Sequence, residues 1–174
     1  MSSKVIWLTG LPCSGKTTIA KILQKELGGY LLDGDEIRKG LCSDLGFSEK
    51  DRNENVRRVG EVAKLMNGLV IVALVSPYRK SRDDVRSIIP HFTEVYVDCN
   101  LDECRKRDVK GLYKKLGDLT PIYEFPLNPE VHINTDSMNK DECVNLILLL
   151  LRKLSKYRGH KYSNGRCKNT YDFC

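Results

Sequence analysis

The stretch that most constrains this chain is an apolar run followed at once by a glycine-bounded loop and the start of a helix. Residues 4–9 read KVIWLT, residues 10–18 read GLPCSGKTT and residues 19–23 read IAKIL. The middle segment fits the pattern G-x-x-x-x-G-K-[ST], and a strand before it with a helix after it is the context that this pattern requires. The sequence therefore predicts a phosphate-binding loop, called the phosphate loop below, at residues 10–18.

Each residue type in the phosphate loop has a physical task. Gly10 and Gly15 let the backbone turn and approach an anion without a Cβ in the way. The backbone N–H groups and the helix N-terminus then face the phosphates. Lys16 adds a positive charge near the β- and γ-phosphates, and the Thr17 hydroxyl is placed to ligate Mg²⁺. We therefore expect ATP and Mg²⁺ as cofactors. The residues expected to hold the nucleotide here are Gly10, Leu11, Pro12, Cys13, Ser14, Gly15, Lys16, Thr17 and Thr18.

The bulk composition is typical of one soluble globular domain. The chain has 174 residues, of which 41% are apolar and 30% are charged. Its N-terminus lacks the apolar core of a signal peptide, and no apolar run approaches the ~20 residues that cross a bilayer. The net charge of +6 is weak evidence for a nucleic-acid partner, because a nucleotide enzyme needs Lys and Arg in any case. We expect neither a membrane nor a nucleic acid as partner.

The seven cysteines are scattered, odd in number and without a C-x-x-C pair. This distribution argues against a disulfide framework or a zinc site, so we expect a cytoplasmic location. Cys13 lies inside the phosphate loop and leaves two interpretations open. It either fills a tolerant position or is an oxidation-sensitive thiol, since a helix N-terminus lowers a thiol's pKa.

Apolar runs alternate with helical segments along the chain, which predicts right-handed βαβ units and a parallel sheet. Strands are expected at 4–9, 30–32, 69–75, 93–98 and 131–134. Helices are expected after the phosphate loop and at 36–41, 48–67, 81–89, 101–107 and 141–157, whereas 110–115 is basic and loop-like. The predicted fold class is α/β, with a central parallel five-stranded sheet in a three-layer sandwich. We expect one domain over residues 1–157 and a loosely held basic tail over residues 158–174.

A second charged cluster follows the second predicted strand and consists of Asp33, Asp35 and Arg38. Open α/β sheets gather their chemistry at the carboxyl ends of strands, which places this cluster opposite the phosphate loop. Phosphoryl transfer needs mainly positioning and charge neutralisation. A carboxylate can orient an acceptor hydroxyl and take its proton, and an arginine can hold an anionic acceptor bidentately. Asp33 could instead assist Mg²⁺ through a water, and the aspartate pair could also be an Asx-type turn.

Six stretches, in this order, carry a resemblance to one family. They are GLPCSGKTT at 10–18, LDGDEIR at 32–38, DLGFS at 44–48, DRNENVRR at 51–58, SPYR at 76–79 and KGLYKK at 110–115. The series resembles the adenylylsulfate (APS) kinase family over roughly residues 4–135. The resemblance implies a P-loop kinase-type fold and transfer of the ATP γ-phosphoryl to the ribose 3′-hydroxyl of a nucleotide with a modified phosphate end. It implies a small-molecule nucleotide acceptor as partner and makes a homodimer plausible.

The resemblance also implies roles for single residues. The residue matching Asp35 is the base, and that matching Ser76 is commonly given as a phosphoserine intermediate. Direct in-line transfer needs no covalent step, so a Ser-Pro at a strand end is equally explained as shaping the pocket. The residue matching Arg107 lies against the ATP adenine. Catalytic residues are then Lys16, Asp35, Arg38 and the doubtful Ser76, with Thr17 and Asp33 (through water) at the metal. The acceptor would be held by Asp33, Asp35, Arg38, Phe47, Arg52, Asn55, Val56, Ser76 and Lys110, with Phe47 stacked on its base.

One departure from the family pattern concerns the acceptor base. The family usually follows K-G-L-Y-K-K with a longer lid that contains Phe-Thr-Gly-Ile, whose Phe closes the other side of the acceptor adenine. Here residues 116–124 read LGDLTPIYE, and Val109 stands where the family usually has Pro. An aromatic–base stack is worth ~1–3 kcal/mol. We therefore expect a short mobile lid near residues 108–125. The acceptor is either APS held more loosely or a pyrimidine nucleotide such as cytidine diphosphoramidate, with Tyr123 or Phe125 as candidates for the missing face.

A non-catalytic nucleotide-binding module, with the basic tail contacting a partner, is the alternative from another functional class. Asp35 and Arg38 beside a complete phosphate loop favour the enzyme. A binding module has no need of a base on the acceptor side.

Overall fold

The computed structural model describes residues 3–116 and 122–159. The predicted tail beyond residue 159 and residues 117–121 of the predicted lid lie outside the described residues. Strands and helices alternate along the described chain. The elements are β1 (Lys4–Thr9), α1 (Lys16–Leu27), β2 (Tyr30–Asp33), α2 (Gly34–Ile37), α3 (Glu49–Leu65), β3 (Leu69–Ala73), α4 (Arg79–Ile88), β4 (His91–Asp98), α5 (Leu101–Lys106), α6 (Leu112–Leu116), β5 (Val131–Asn134) and α7 (Lys140–Gly159).

The five strands form one sheet in the order β2-β3-β1-β4-β5, and every neighbouring pair is parallel. This confirms the predicted five-stranded parallel sheet. Parallel strands end at the same edge of the sheet. The phosphate loop after β1, the Asp33–Asp35 pair after β2 and Ser76 after β3 therefore meet at one edge.

Strand β1 lies at the centre of the sheet and divides its side chains between two cores. Ile6 and Leu8 face one side, where helices α1 and α7 cover the sheet. Val5 and Trp7 face the other side, where α3 and α4 cover it. A strand covered on both faces is expected to be apolar without alternation, which is the pattern of KVIWLT. The three-layer sandwich is thus confirmed.

Two expectations about local structure are corrected. The helix expected at 36–41 is the four-residue α2, because the Asp33 carboxylate accepts a hydrogen bond from the Asp35 N–H at 3.0 Å and so starts the helix at Gly34. The stretch expected to be loop-like at 110–115 contains α6. The Asp108 carboxylate starts that helix by accepting hydrogen bonds from the N–H groups of Leu112 and Tyr113, both at 2.9 Å.

Other boundaries agree more closely with the sequence. Ser48 caps α3 as predicted, since its hydroxyl accepts a hydrogen bond from the Asp51 N–H at 3.2 Å. Helix α7 runs to Gly159, slightly beyond the expected end. Within the described residues, no helix combines the length and the apolar content that crossing a bilayer requires.

The contact between α3 and α4 yields a stability prediction. A Cβ built on Gly60 lies 2.7 Å from Cγ2 of the buried Val85, so alanine at this position forces the two helices apart. We expect Gly60→Ala to destabilise the fold by about 1–3 kcal/mol, the usual cost of overpacking a core. For a chain of this length, thermal denaturation should show a fall of roughly 2–10 °C in Tm. The matched control is Gly40→Ala, because no heavy atom lies within 4 Å of a Cβ at residue 40. Equal Tm values for the two variants would contradict the close packing.

Candidate active site

A cleft of about 810 Å³ lies at the carboxyl edge of the sheet and extends from the phosphate loop to α3. Most of the sequence-predicted site residues line it. Those that do are Pro12, Cys13, Gly15, Lys16, Thr17, Thr18, Asp33, Asp35, Arg38, Phe47, Arg52, Asn55, Val56, Ser76, Arg107 and Lys110. The other three residues of the phosphate loop, Gly10, Leu11 and Ser14, do not line the cleft and are buried.

The phosphate loop has a backbone that only small residues allow. A Cβ on Gly10 would lie 2.3 Å from the Val97 carbonyl oxygen, so glycine lets the loop pass close to β4. Gly15 caps α1 with a φ of 96°, in the left-handed region that glycine adopts without strain. Residue types at both ends of the motif are therefore fixed by the backbone as well as by the expected anion.

Lys16 is folded back onto the loop that precedes it. Its Nζ donates hydrogen bonds to the carbonyl oxygens of Leu11 at 2.6 Å and Gly10 at 3.0 Å. Burial lowers the pKa of this ammonium to about 8. Because both partners are neutral, the positive charge of Lys16 is not cancelled and stays available to a phosphate.

The Thr17 hydroxyl and the Asp33 carboxylate form one polar unit at the start of α1. Thr17 Oγ1 donates a hydrogen bond to Asp33 Oδ2 at 2.6 Å, while Asp33 Oδ1 caps α2. The Asx-type turn and the proposed metal role therefore use different oxygens of the same carboxylate. Hard oxygen donors of this kind suit Mg²⁺, which retains waters and phosphate oxygens among its ligands. In the part of the chain that the structure describes, no cluster of three or more His, Cys, Asp or Glu side chains could hold a metal by itself.

Asp35 forms an ion pair with Lys110 across the cleft. The two side chains are 56% and 60% exposed, so both are open to an incoming ligand. The hydrogen bond and the negative charge of Asp35 raise the pKa of Lys110. Lys110 in turn favours the ionised form of the Asp35 carboxylate, which is the form that can accept a proton from a hydroxyl.

Three side chains at the far end of the cleft are packed on one another. The guanidinium carbon of Arg38 lies 4.4 Å from the centre of the Phe47 ring and that of Arg52 lies 5.4 Å from it. Arg38 donates hydrogen bonds to the carbonyl oxygens of Leu45 and Gly46, and Arg52 donates to that of Phe47 at 2.8 Å. Burial lowers the pKa of both guanidinium groups. Two cations held only by neutral partners attract an anion to this end.

Asn55 adds an unused donor between the two ends of the cleft. Its side chain is buried, and its Nδ2 has no hydrogen-bond partner among the described residues. A buried donor without a partner costs about 1–3 kcal/mol. A ligand oxygen placed at this wall of the cleft would remove that cost.

Ser76 is buried and tied to the core. Its hydroxyl oxygen accepts a hydrogen bond from the Trp7 indole N–H at 3.0 Å, and its φ is 45°, which is strained for a residue with a Cβ. This bond favours a role in shaping the pocket. The phosphoserine role implied by the resemblance stays a prediction.

The two candidates for a second wall of the base pocket lie elsewhere. Tyr123 is 4% exposed and its hydroxyl is 2.9 Å from Thr9 Oγ1, so it is a core residue under the carboxyl edge of the sheet. Phe125 packs on the rings of Tyr96 and Tyr123. Neither lines the cleft, whereas Val109 does and is 94% exposed. The expectation that Tyr123 or Phe125 closes the base pocket is therefore not met.

The interpretation of Cys13 as an oxidation-sensitive thiolate is also corrected. Its thiol donates a hydrogen bond to Asp108 Oδ1 at 3.7 Å. Burial, followed by the negative charge of Asp108, raises the pKa of this thiol and outweighs the helix N-terminus. A thiol held protonated is a poor target for oxidation.

Sequence reasoning missed one wall of the cleft near the phosphate loop. Arg107, which was predicted, donates hydrogen bonds to the side chain and the carbonyl oxygen of Thr135 at 3.1 and 3.0 Å. The same wall continues through residues that no motif marks, namely Thr135, Met138, Asn139, Lys140 and Cys143. The available signal was their position directly after the fifth strand, where open α/β sheets place ligands.

Comparison with known proteins gives consistent matches over most of the chain. Residues 2–134 match the family described as adenylylsulphate kinase. A probable adenylyl-sulfate kinase from Halalkalibacterium halodurans is 48% identical over 169 residues, covering 87% of this chain and 84% of that protein. An adenylyl-sulfate kinase from Vibrio cholerae is 48% identical over 158 residues, covering 80% of this chain and 74% of that protein.

A solved structure agrees with these matches. The Mycobacterium tuberculosis APS kinase in complex with AMPPNP and APS has a TM-score of 0.79 to this chain at 36% identity. The likeness covers 87% of this chain and 98% of that one. The resemblance inferred from the six stretches is thus confirmed by comparisons of the whole fold.

The pKa of Lys16 yields a prediction about pH. ATP phosphates stabilise the ammonium and raise its pKa in the complex, so binding takes up a proton above pH 8 and must weaken as the pH rises through that value. Calorimetry should find an ATP Kd about tenfold weaker at pH 9 than at pH 7, which is the loss expected for one group of this pKa. AMP is the control ligand, because it has no β- or γ-phosphate to meet Lys16. An ATP affinity that is flat from pH 7 to pH 9 would contradict the assignment.

Proposed function

This chain belongs to the adenylylsulphate kinase family and is a kinase, and we propose that it transfers the γ-phosphoryl group of ATP to the ribose 3′-hydroxyl of adenylyl sulfate. One observation supports this proposal most directly. A single cleft joins a phosphate loop at one end to an ionised aspartate, an unused buried donor and two neutrally partnered arginines at the other. Its size suits two nucleotides placed end to end.

ATP binding would begin at the phosphate loop. Lys16 exchanges the carbonyl oxygens of Gly10 and Leu11 for the β- and γ-phosphates, which pair its charge. The Thr17 hydroxyl would hold Mg²⁺, with Asp33 acting through a water. That ion supplies neutralisation of the charge that develops on the phosphate oxygens. Arg107 and the wall that includes Thr135 would take the adenine.

Acceptor binding would use the opposite end. Arg38, Arg52 and Asn55 supply donors to the sulfate and phosphate oxygens, and Phe47 offers a ring face to the base. Asp35 would orient the 3′-hydroxyl and accept its proton as the oxygen attacks the γ-phosphorus. Lys110 holds the carboxylate ionised before the acceptor arrives and then supplies a positive charge beside the transferred group.

We propose direct in-line transfer with no phosphoserine. The Ser76 oxygen already accepts the Trp7 N–H, and positioning with charge neutralisation suffices for phosphoryl transfer. The comparisons favour neither the cytidine diphosphoramidate acceptor nor a non-catalytic module. A homodimer and a cytoplasmic location stay predictions.

The first test is an acceptor assay. Purified protein with ATP and Mg²⁺ should release ADP only when adenylyl sulfate is present, and the product should carry the new phosphate at the 3′ position. We expect a higher kcat/KM for adenylyl sulfate than for cytidine diphosphoramidate in parallel reactions. ADP release that ignores the acceptor, or a preference for the pyrimidine, would overturn the proposal.

The second test removes the proposed base. Asp35→Asn should lower kcat by about 10²–10⁴-fold, the usual contribution of a positioned base, and leave the ATP Kd within about twofold. Glu36→Gln is the matched control, since Glu36 is the next acidic residue and forms a surface ion pair with Lys39. If Asp35→Asn weakened ATP binding as much as it slowed turnover, Asp35 would serve the metal or the fold instead.

A further inference from the structure

Helix α4 carries a charged side chain where the sequence predicts a solvated face. Arg82 is 2% exposed, although its helix is one of the most polar segments of the chain. Arginine is almost never buried unless it is paired. The partners that justify its burial therefore indicate its role.

The Arg82 guanidinium joins three segments that are distant in sequence. One terminal nitrogen donates to the Ser76 carbonyl oxygen and the other to the Glu124 carbonyl oxygen, both at 2.6 Å. Its Nε lies 2.8 Å from the Glu94 carboxylate on β4. All three sides of the planar fork are thus occupied, and two of them hold backbone carbonyls.

The first of these carbonyls belongs to the wall of the cleft. Ser76 and Pro77 line the cleft together with Arg52 and Asn55. Ser76 has a φ of 45°, a conformation that costs about 1–3 kcal/mol and persists only when its surroundings hold it. Trp7 holds its side chain and Arg82 holds its carbonyl. Loss of either bond lets this wall relax.

The second carbonyl fastens another segment to the same wall. The Glu124 N–H donates to the Pro77 carbonyl oxygen at 2.8 Å, and the Glu124 carboxylate accepts from the Arg79 N–H at 2.7 Å. The guanidinium carbon of Arg82 also lies 5.7 Å from the ring centre of Tyr123. Residues 76–79 and 123–124 therefore form one hydrogen-bonded unit around a buried guanidinium.

We propose that Arg82 is a positioning residue for the acceptor: it fixes the Ser76–Pro77 wall by holding the carbonyl oxygens of Ser76 and Glu124. The proposal rests on the proposed function, because it states what sets the affinity for the acceptor of that reaction. The alternative is that Arg82 only pairs with Glu94 and stabilises the fold. The two differ in which bonds matter, the carbonyl bonds or the ion pair.

Arg82→Lys separates the two roles. Lysine keeps a positive charge for Glu94, but an ammonium on a flexible stem cannot reproduce a planar fork that reaches two carbonyls at once. The matched control is Arg86→Lys on the same helix. Arg86 pairs with Glu94 and Glu130, and no hydrogen bond between described residues joins it to Ser76 or Glu124. Glu124→Ala is a milder second variant, which releases the Arg79 N–H and leaves Arg82 in place.

Steady-state kinetics and hydrogen exchange provide the readouts. Arg82→Lys should raise the acceptor KM by about ten- to a hundredfold, the cost of a displaced binding wall, with the ATP KM within about twofold. Glu124→Ala should raise the acceptor KM by a smaller factor. The Glu124 amide should exchange faster in Arg82→Lys, and Arg86→Lys should match the wild type in both readouts.

The contrary outcomes are distinct. If Arg82→Lys and Arg86→Lys lower Tm alike and leave the acceptor KM and the exchange rate unchanged, Arg82 serves stability alone. If Arg82→Lys does not fold, an unchanged acceptor KM in Glu124→Ala overturns the positioning role. If the wild type transfers no phosphate to adenylyl sulfate, the proposed function fails, and the exchange rate still decides whether Arg82 holds the wall.

Discussion

The central position of β1 is the constraint on which the site depends. This strand is hydrogen-bonded to β3 on one edge and to β4 on the other, and its side chains enter both cores. Its carboxyl end is therefore fixed in every direction, and the phosphate loop that follows inherits that fixed origin. Trp7 extends the constraint sideways, because its indole N–H reaches the Ser76 hydroxyl beyond the end of β3. The nucleotide end and the acceptor wall are thus referenced to one buried strand.

The sequence predicted what depends on local pattern. The phosphate loop, the five parallel strands and the Ser48 cap follow from spacing and residue type, which short segments carry by themselves. Burial of Arg82 could not be predicted, because its partners Ser76, Glu94 and Glu124 come together only when the sheet forms. The wall at Thr135 was missed for the same reason. Helix α6 was missed because its start depends on how Asp108 turns back to cap it.

Within the cleft, the ligand-free protein satisfies its polar groups with its own atoms. Lys16 donates to the loop carbonyls, Asp35 pairs with Lys110, and Arg38 stacks on Phe47. Substrates must replace each of these contacts, so affinity reflects a difference between two sets of partners. The Nδ2 group of Asn55 is the exception among the described residues, since a ligand oxygen there replaces nothing. Such a site loses little stability when empty and still gains from a correctly placed anion.

The partners of the arginines distinguish cations that bind ligands from cations that support the fold. Arg38 and Arg52 donate to backbone carbonyls, which orient the guanidinium and leave its charge uncancelled. Arg58 and Arg86 pair with carboxylates, which neutralise them. Arg82 combines the two kinds of partner, because it meets the Glu94 carboxylate and holds two carbonyls. Its charge is therefore spent inside the fold while its geometry reaches the cleft wall. An arginine of this kind influences a substrate without contacting it.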